Sequence, residues 1–231
     1  MLKISNFEVM GWEHAIRGMR NPMNSWEKSD SCTQGYVWCN EFCGHPVSGC
    51  DKESGLYLGP NDLGLMKRLR NAGTDHRKFM RMITVYVDIT APLYWWKEFD
   101  TYKIGTVANS CSTMHKIAEK EFTMEDFSYD KLSEHSKRHL QDTINLLNCY
   151  CADYNNPEAD GQSEYKKFYW WQMIQLLPSS YNQKRTVMLN YEVLANIYKS
   201  RRNHKLDEWR TFCDWIKELP YSEVITGYEE D

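Results

Sequence analysis

The run Met82-Ile83-Thr84-Val85-Tyr86-Val87-Asp88-Ile89 is β-branched and alternating, and it predicts the clearest strand in the chain. Pro92 follows and opens a helix from Leu93 to about Thr101 that carries Tyr94, Trp95, Trp96 and Phe99. After it, Gly105 to His115 is packed with small hydroxyl and amide groups, Thr106, Asn109, Ser110, Ser112 and Thr113, and reads as a loop. Upstream, Asn61 or Asp62 can cap a helix through Leu63, Met66 and Leu69 that Gly73 ends. Residues 1–30 mix strand-like and turn-like signals, and 31–61, rich in Gly, Ser and Cys, read as irregular loop. Downstream, helices are expected at Tyr129 to Tyr150, Ser163 to Leu177, Tyr181 to Arg201 and Leu206 to Leu219, with a polar break at Asp153 to Gly161.

The 231 residues are 42% hydrophobic and 26% charged, enough for one sizeable core or two small ones. A net charge of -4 argues against a nucleic-acid backbone clamp, which needs a strongly basic domain. Apolar stretches are short and the first residues lack an apolar signal core, so no membrane span and a cytoplasmic protein are expected. In a reducing compartment the eight cysteines default to free thiols. Cys32, Cys39, Cys43 and Cys50 crowd one segment with His45, yet only Cys39 and Cys43 approach the spacing of a zinc knuckle. His135 and His139 share a helix face, as metal-binding histidines do, but Glu134, Lys137 and Arg138 beside them read as a solvated surface. No metal site is expected. The unusual feature is 9 Trp and 15 Tyr at a mean hydropathy of -0.69, which suggests large amphipathic side chains at interfaces or around a ligand.

Asn190 and Arg201 stand eleven residues apart, so a helix through both brings them to one face about 16 Å apart, with Leu194 and Ile197 between. A guanidinium and an amide flanking an apolar patch suit a planar anionic ligand such as a nucleotide; the competing reading is that both satisfy backbone groups or a partner subunit. Lys103, with Thr106, Asn109, Ser110, Ser112 and Thr113, adds a cation and phosphate-compatible donors, although such loops are more often solvated turns.

Together these segments resemble the flavin-dependent thymidylate synthase family in a strongly altered form. Pro92 to Thr113 is similar to the family's R-H-R-x-x-S-x-N-E-x-S-x-R segment and its viral-type variant, a pattern that would suit a virus-borne (phage) source. Asp75-His76 and the strand to Ile89 resemble its G-H-x-S-P-x-x-H segment and following strand. Leu177-Pro178, Asn190 and Arg201 match its L-P, N-x-R and L-R spacing, and Leu206 to Trp215 resembles a later helix. The departures are specific. The H-R pair becomes Tyr102-Lys103, the Ser becomes Thr106, the N-E pair becomes Ala108-Asn109 and the last Arg becomes Thr113. The second His becomes Met82, and an acidic and a basic residue ahead of the L-P pair become Trp171 and Ile174.

The resemblance implies an α/β fold of α+β type, a small twisted, mainly antiparallel sheet flanked by helices. It covers a domain at 61–231, leaving 1–60 as an irregular Cys-rich segment or insertion. It implies a homotetramer with sites at subunit interfaces, a dUMP-like nucleotide ligand, FAD as cofactor, and one-carbon transfer to dUMP. The residues it marks for nucleotide or flavin are His76, Lys103, Thr106, Asn109, Ser110, Ser112, Thr113, Asn190 and Arg201, with Tyr94, Trp95, Trp96 and Trp171 as an aromatic pocket. No catalytic nucleophile is assigned. Because Lys cannot reproduce the bidentate fork of Arg, the lost charges open a second reading, a non-catalytic nucleotide-binding or nucleotide-sequestering protein on the same fold. A third reading makes the Trp-rich face a builder of the oligomer only.

Overall fold

Val85, Val87, Ile89 and Ala91 are all exposed by 1% or less. In the computed structural model, which describes residues 2–32, 56–159 and 161–227, they form the buried row of a strand, Thr84–Pro92, as period-two alternation requires. The strands in chain order are β1 (Lys3–Met10), β2 (Thr84–Pro92), β3 (Val107–Ser110) and β4 (Asn182–Asn190). They make one antiparallel sheet of order β1-β2-β4-β3. The helices are α1 (Trp12–Arg20), α2 (Pro60–Asn71), α3 (Leu93–Phe99), α4 (Thr113–Lys116), α5 (Glu134–Tyr154), α6 (Ser163–Leu176), α7 (Tyr191–Arg201), α8 (Asp207–Glu218) and α9 (Glu223–Thr226). This is the expected class, a small antiparallel sheet with flanking helices. No helix among the described residues is long and apolar enough to cross a membrane.

The chain divides into two compact units whose boundary falls within the strands. Unit 1 comprises 1–5, 88–101 and 108–186. Its core is the α5–α6 pair, where Ile144, Leu147 and Met173 pack with Ile117, Phe122 and Phe127. Helix α5 starts at Glu134, later than the expected Tyr129, because the Ser133 hydroxyl accepts from Ser136 N and fixes the N-cap there. Of the described residues, unit 2 comprises 6–32, 56–87, 102–107 and 187–227. It buries Met66, Met80, Ile83, Leu194, Ile197, Trp209, Phe212 and Ile216, each large side chain contributing about 1.5–3 kcal/mol.

Two expectations fail. The helix read from Tyr181 to Arg201 is β4 followed by α7: Val187 and Leu189 are buried with period two, and only beyond Asn190 does the backbone turn helical. The loop read from Gly105 to His115 contains the edge strand β3 and the short helix α4. In residues 1–30 the strand and turn signals correspond to β1 and to short 3-10 turns at Asn21–Met23 and Trp26–Lys28, while helix α1 was not foreseen. Gly11, at φ 93, opens α1 where any Cβ would strike the Met82 carbonyl. Of the cysteine cluster, Cys39, Cys43 and Cys50 lie with His45 outside the described residues, and Cys32 is a free thiol.

A buried ion pair ties the N-terminal segment of unit 2 to α2. Arg20 donates from Nε to Asp62 at 2.6 Å, and from Nη1 and Nη2 to the carbonyls of Ser25 and Lys28. Asp62, fully buried, also accepts from the hydroxyls of Ser29 and Ser31, at 2.7 Å each. The first turn of α2 is capped from outside the helix, since the Asp30 carboxylate accepts from Asn61 N at 2.9 Å and Asp62 N at 3.1 Å. Neither Asn61 nor Asp62 is the N-cap, a position that Gly59 holds. Burial by itself would raise the Asp62 carboxyl, but hydrogen bonds from Ser31, Ser29 and Arg20, with the charge of Arg20, hold it below the usual carboxylate range.

Arg20→Ala leaves a buried carboxylate unpaired and should cost about 3–5 kcal/mol in urea unfolding. Because the folded-state pKa of Asp62 is depressed, its contribution is fully present above the unfolded carboxylate value near 3.9 and disappears as pH falls through the folded value. Asp62→Asn should therefore flatten the acid limb of the stability curve, and an unchanged limb would show that this carboxylate is not a source of the acid sensitivity.

Candidate functional site

In unit 2 the reading begins where β4 gives way to α7. Asn190 is the N-cap: its side-chain oxygen accepts from Val193 N at 3.0 Å. It caps α7 instead of lying on its face, so the shared-face argument for Asn190 and Arg201 does not hold. What brings them into one region is a different segment, the loop 102–106. At one end of α7, Arg201 donates from Nε to the Tyr102 hydroxyl at 3.0 Å. Its guanidinium also lies over the rings of Trp209, at 4.8 Å, and Tyr102, at 5.8 Å. At the other end, Gly105 takes φ 77, and a Cβ there would come 2.8 Å from Asn190 Nδ2 and 3.2 Å from Val193 Cγ2. The loop is thus pinned to both ends of α7, with Lys103 exposed between the two contacts. Thr106 Oγ1 is buried and has no hydrogen-bond partner among the described residues.

His76 is exposed and precedes the turn Arg77–Met82. That turn supplies residues the sequence reading missed. Arg77 Nε, at 3.3 Å, and Arg81 Nε both donate to the carboxylate of Glu192, the second residue of α7. Burial alone would raise the Glu192 carboxyl, and the two guanidiniums hold it below its usual range. The signal available in the sequence was weak: Glu192 two residues after Asn190, with basic residues in a distant segment.

In unit 1, Asn109 and Ser110 are exposed on β3, and Ser112 and Thr113 are half-buried at the start of α4. The Ser112 hydroxyl is already engaged, accepting from His115 N at 3.1 Å. Trp95 and Trp96 are core residues, exposed by 0% and 1%, packed edge-on to each other and against Phe99. They offer no open ring face in this structure. Tyr94 is half-buried, and Trp171 is exposed on α6 beside Trp170, whose Nε1 donates to the Met114 carbonyl at 2.9 Å.

Beside β3, Arg185 lies 4.2 Å over the Trp96 ring and pairs with Asp100 at 2.7 Å. Gln183 links this pair to the hydroxyl-rich segment, accepting from Arg185 Nε at 3.0 Å and donating to the Cys111 carbonyl at 2.8 Å. Gln183 and Arg185 were read as helical, so their role in this network was not foreseen.

From Tyr102 to Thr113 the chain carries a single cation, Lys103, with the exposed amide of Asn109 and hydroxyl of Ser110 as neutral donors. FAD brings a pyrophosphate and a large ring system. Against these, the Thr106 hydroxyl is buried, the Ser112 hydroxyl is engaged, and the rings of Trp95 and Trp96 are enclosed. These residues do not match the flavin.

No family model matches the sequence, and no curated protein matches it. Solved structures do match in fold. The chain is similar to thymidylate synthase X (ThyX) from Helicobacter pylori with FAD and dUMP, with a TM-score of 0.63 and 15% identity over 98% of each chain. A second structure, of flavin-dependent thymidylate synthase ThyX from Helicobacter pylori complexed with FAD and dUMP, gives 0.60 and 15% over 97% of each. The UMP/dUMP methylase PolB from Streptomyces cacaoi bound with 5-Br dUMP gives 0.55 and 12%, covering 99% of this chain and 95% of the other. At these identities the likeness establishes the fold.

Gly105→Ala should cost about 1–2 kcal/mol from the left-handed backbone alone, with more from the contact with Asn190. Asn190→Ala should lose about 1 kcal/mol of helix capping. Denaturant midpoints measure both, and a neutral Gly105→Ala would show that the loop is not seated against α7.

Proposed function

We propose that the chain is a strongly diverged flavin-dependent thymidylate synthase-like protein that binds a pyrimidine nucleoside monophosphate, dUMP-like, at subunit interfaces of a homotetramer. The observation that carries this reading is the fold likeness to ThyX over 98% of both chains, in a protein solved with FAD and dUMP. The loop pinned along α7 supports it locally, because it presents Lys103 between the anchored Arg201 and Asn190.

A nucleoside monophosphate carries close to two negative charges and a planar base. Lys103 answers the charge as a mobile point cation. Arg201 and Asn190 are assigned to orienting the base, and His76 and Thr106 are assigned to the same ligand. Asn109, Ser110, Ser112 and Thr113 form a second proposed set of donors, and Tyr94 and Trp171 are the aromatic residues with exposed surface left to stack on a ring.

Because the chain's own residues do not match the flavin, no step of a reaction is routed through FAD. That mismatch favours the non-catalytic reading, binding or sequestering of the nucleotide, over methyl transfer to dUMP. One preparation separates the two. Purified protein is expected to be colourless, to take up no added FAD, and to melt at a higher temperature with dUMP, since a ligand that binds only the folded state stabilises it. A yellow protein retaining flavin would restore the enzymatic reading. Arg201→Ala should remove the dUMP-dependent rise, and a rise that survives it would misplace the site. Light scattering on the same sample tests the tetramer.

A further inference from the structure

Helix α5 carries His135 and His139 one turn apart, both exposed. Their Nε2 atoms lie 3.1 Å apart, with ring centroids 4.5 Å apart and planes crossed at 86°. A neutral imidazole offers one ring nitrogen as donor and one as acceptor, so two nitrogens facing at this distance share a single proton. The same spacing suits a metal ion. Metal–nitrogen bonds to histidine run about 2.0–2.1 Å, and two such bonds reaching atoms 3.1 Å apart enclose an angle of roughly 98°. That lies between the right angle of tetragonal or octahedral centres and the tetrahedral value of about 109°.

We infer that His135 and His139 form a two-histidine chelate for a divalent transition metal ion of the zinc, nickel and copper class, the ion taking the place of the shared proton. Imidazole is a ligand of choice for these ions, whereas calcium and magnesium demand oxygen. The i, i+4 spacing holds both rings on one face of a helix whose start is fixed by the Ser133 cap. Asp142 follows on the same stripe, seven residues after His135. The neighbouring cation Lys137 is held by Glu134 at 2.8 Å. Among the described residues no third histidine, cysteine or carboxylate joins the pair in a metal-sized group. The remaining coordination positions therefore belong to water or to a donor from another molecule. The solvated-surface reading of these residues from sequence rested on their neighbours, and the distance between the rings is what changes it.

The test uses the full untagged chain and Ni2+ as the probe. Equilibrium dialysis should show one Ni2+ ion per chain more in the parent protein than in either His135→Ala or His139→Ala. The melting temperature should rise with Ni2+ only in the parent. Both substitutions are at exposed positions, so the fold is expected to stay intact. His115→Ala, on α4, should keep the ion and the rise. Unchanged stoichiometry and an unchanged rise in both variants would overturn the site, since the metal would then sit elsewhere, for instance on the free thiols. Loss in only one of the two variants would overturn the chelate, because it would mean a single histidine acting alone.

Discussion

The strand-to-helix switch at Asn190 is the constraint on which the candidate site depends. Three consecutive residues there each anchor a different part of unit 2. Asn190 caps α7 through Val193 N. Tyr191 donates from its backbone to the Ile83 carbonyl at 3.0 Å and from its hydroxyl to the Pro220 carbonyl at 2.6 Å. Glu192 accepts from Arg77 and Arg81. A helix fixed this firmly at its first turn has a fixed axis, and the position of Arg201 eleven residues on follows from it. Loop 102–106 then takes its course from α7, touching the cap through Gly105 and the last turn through Tyr102.

How much of this was legible in the sequence depended on whether the signal was local. Strand β2 was legible because Val85, Val87 and Ile89 alternate cleanly, and α3 because Pro92 marks its start. Strand β4 was not: Lys184 and Arg185 are acceptable helix residues, and its strand character comes from pairing with segments far away in sequence. The same limit applies to the site. Arg201 and Asn190 could be singled out by spacing, but the actual partners of Arg201, Tyr102 and Trp209, come from other segments, and no periodicity within one helix reveals them. The Glu192 pair of arginines was hidden for the same reason.

The aromatic load divides between two uses. Trp95, Trp96, Trp209 and Phe212 are interior, where large rings bury more apolar area than any other residue type. Two of these buried tryptophans also serve as platforms for guanidinium groups, Trp96 for Arg185 and Trp209 for Arg201. The ring face adds to the polar partner each guanidinium already has, the Asp100 carboxylate for Arg185 and the Tyr102 hydroxyl for Arg201. Buried tryptophans and these two arginines are thus linked features of the chain. Other large rings stay exposed, among them Trp26 and Phe7 in unit 2 and Trp171 and Phe168, both on α6, in unit 1.

The fold and the exposed polar groups are held here by different kinds of constraint, which is why the fold can persist at 15% identity. The parts that fix α7 and its loop are a side-chain cap, a glycine at positive φ, and backbone carbonyls answering Tyr191. Each tolerates broad change in its surroundings, because it depends on one hydrogen bond or on the absence of a Cβ. The parts that would meet a ligand, Lys103, Asn109 and Ser110, are exposed, and burial places no demand on what they are. Exchanging Lys103 for arginine would therefore leave the scaffold untouched while replacing a single mobile charge by a rigid two-point grip. The likeness in fold concerns the scaffold alone, and exposed polar residues of this kind are free to change without disturbing it.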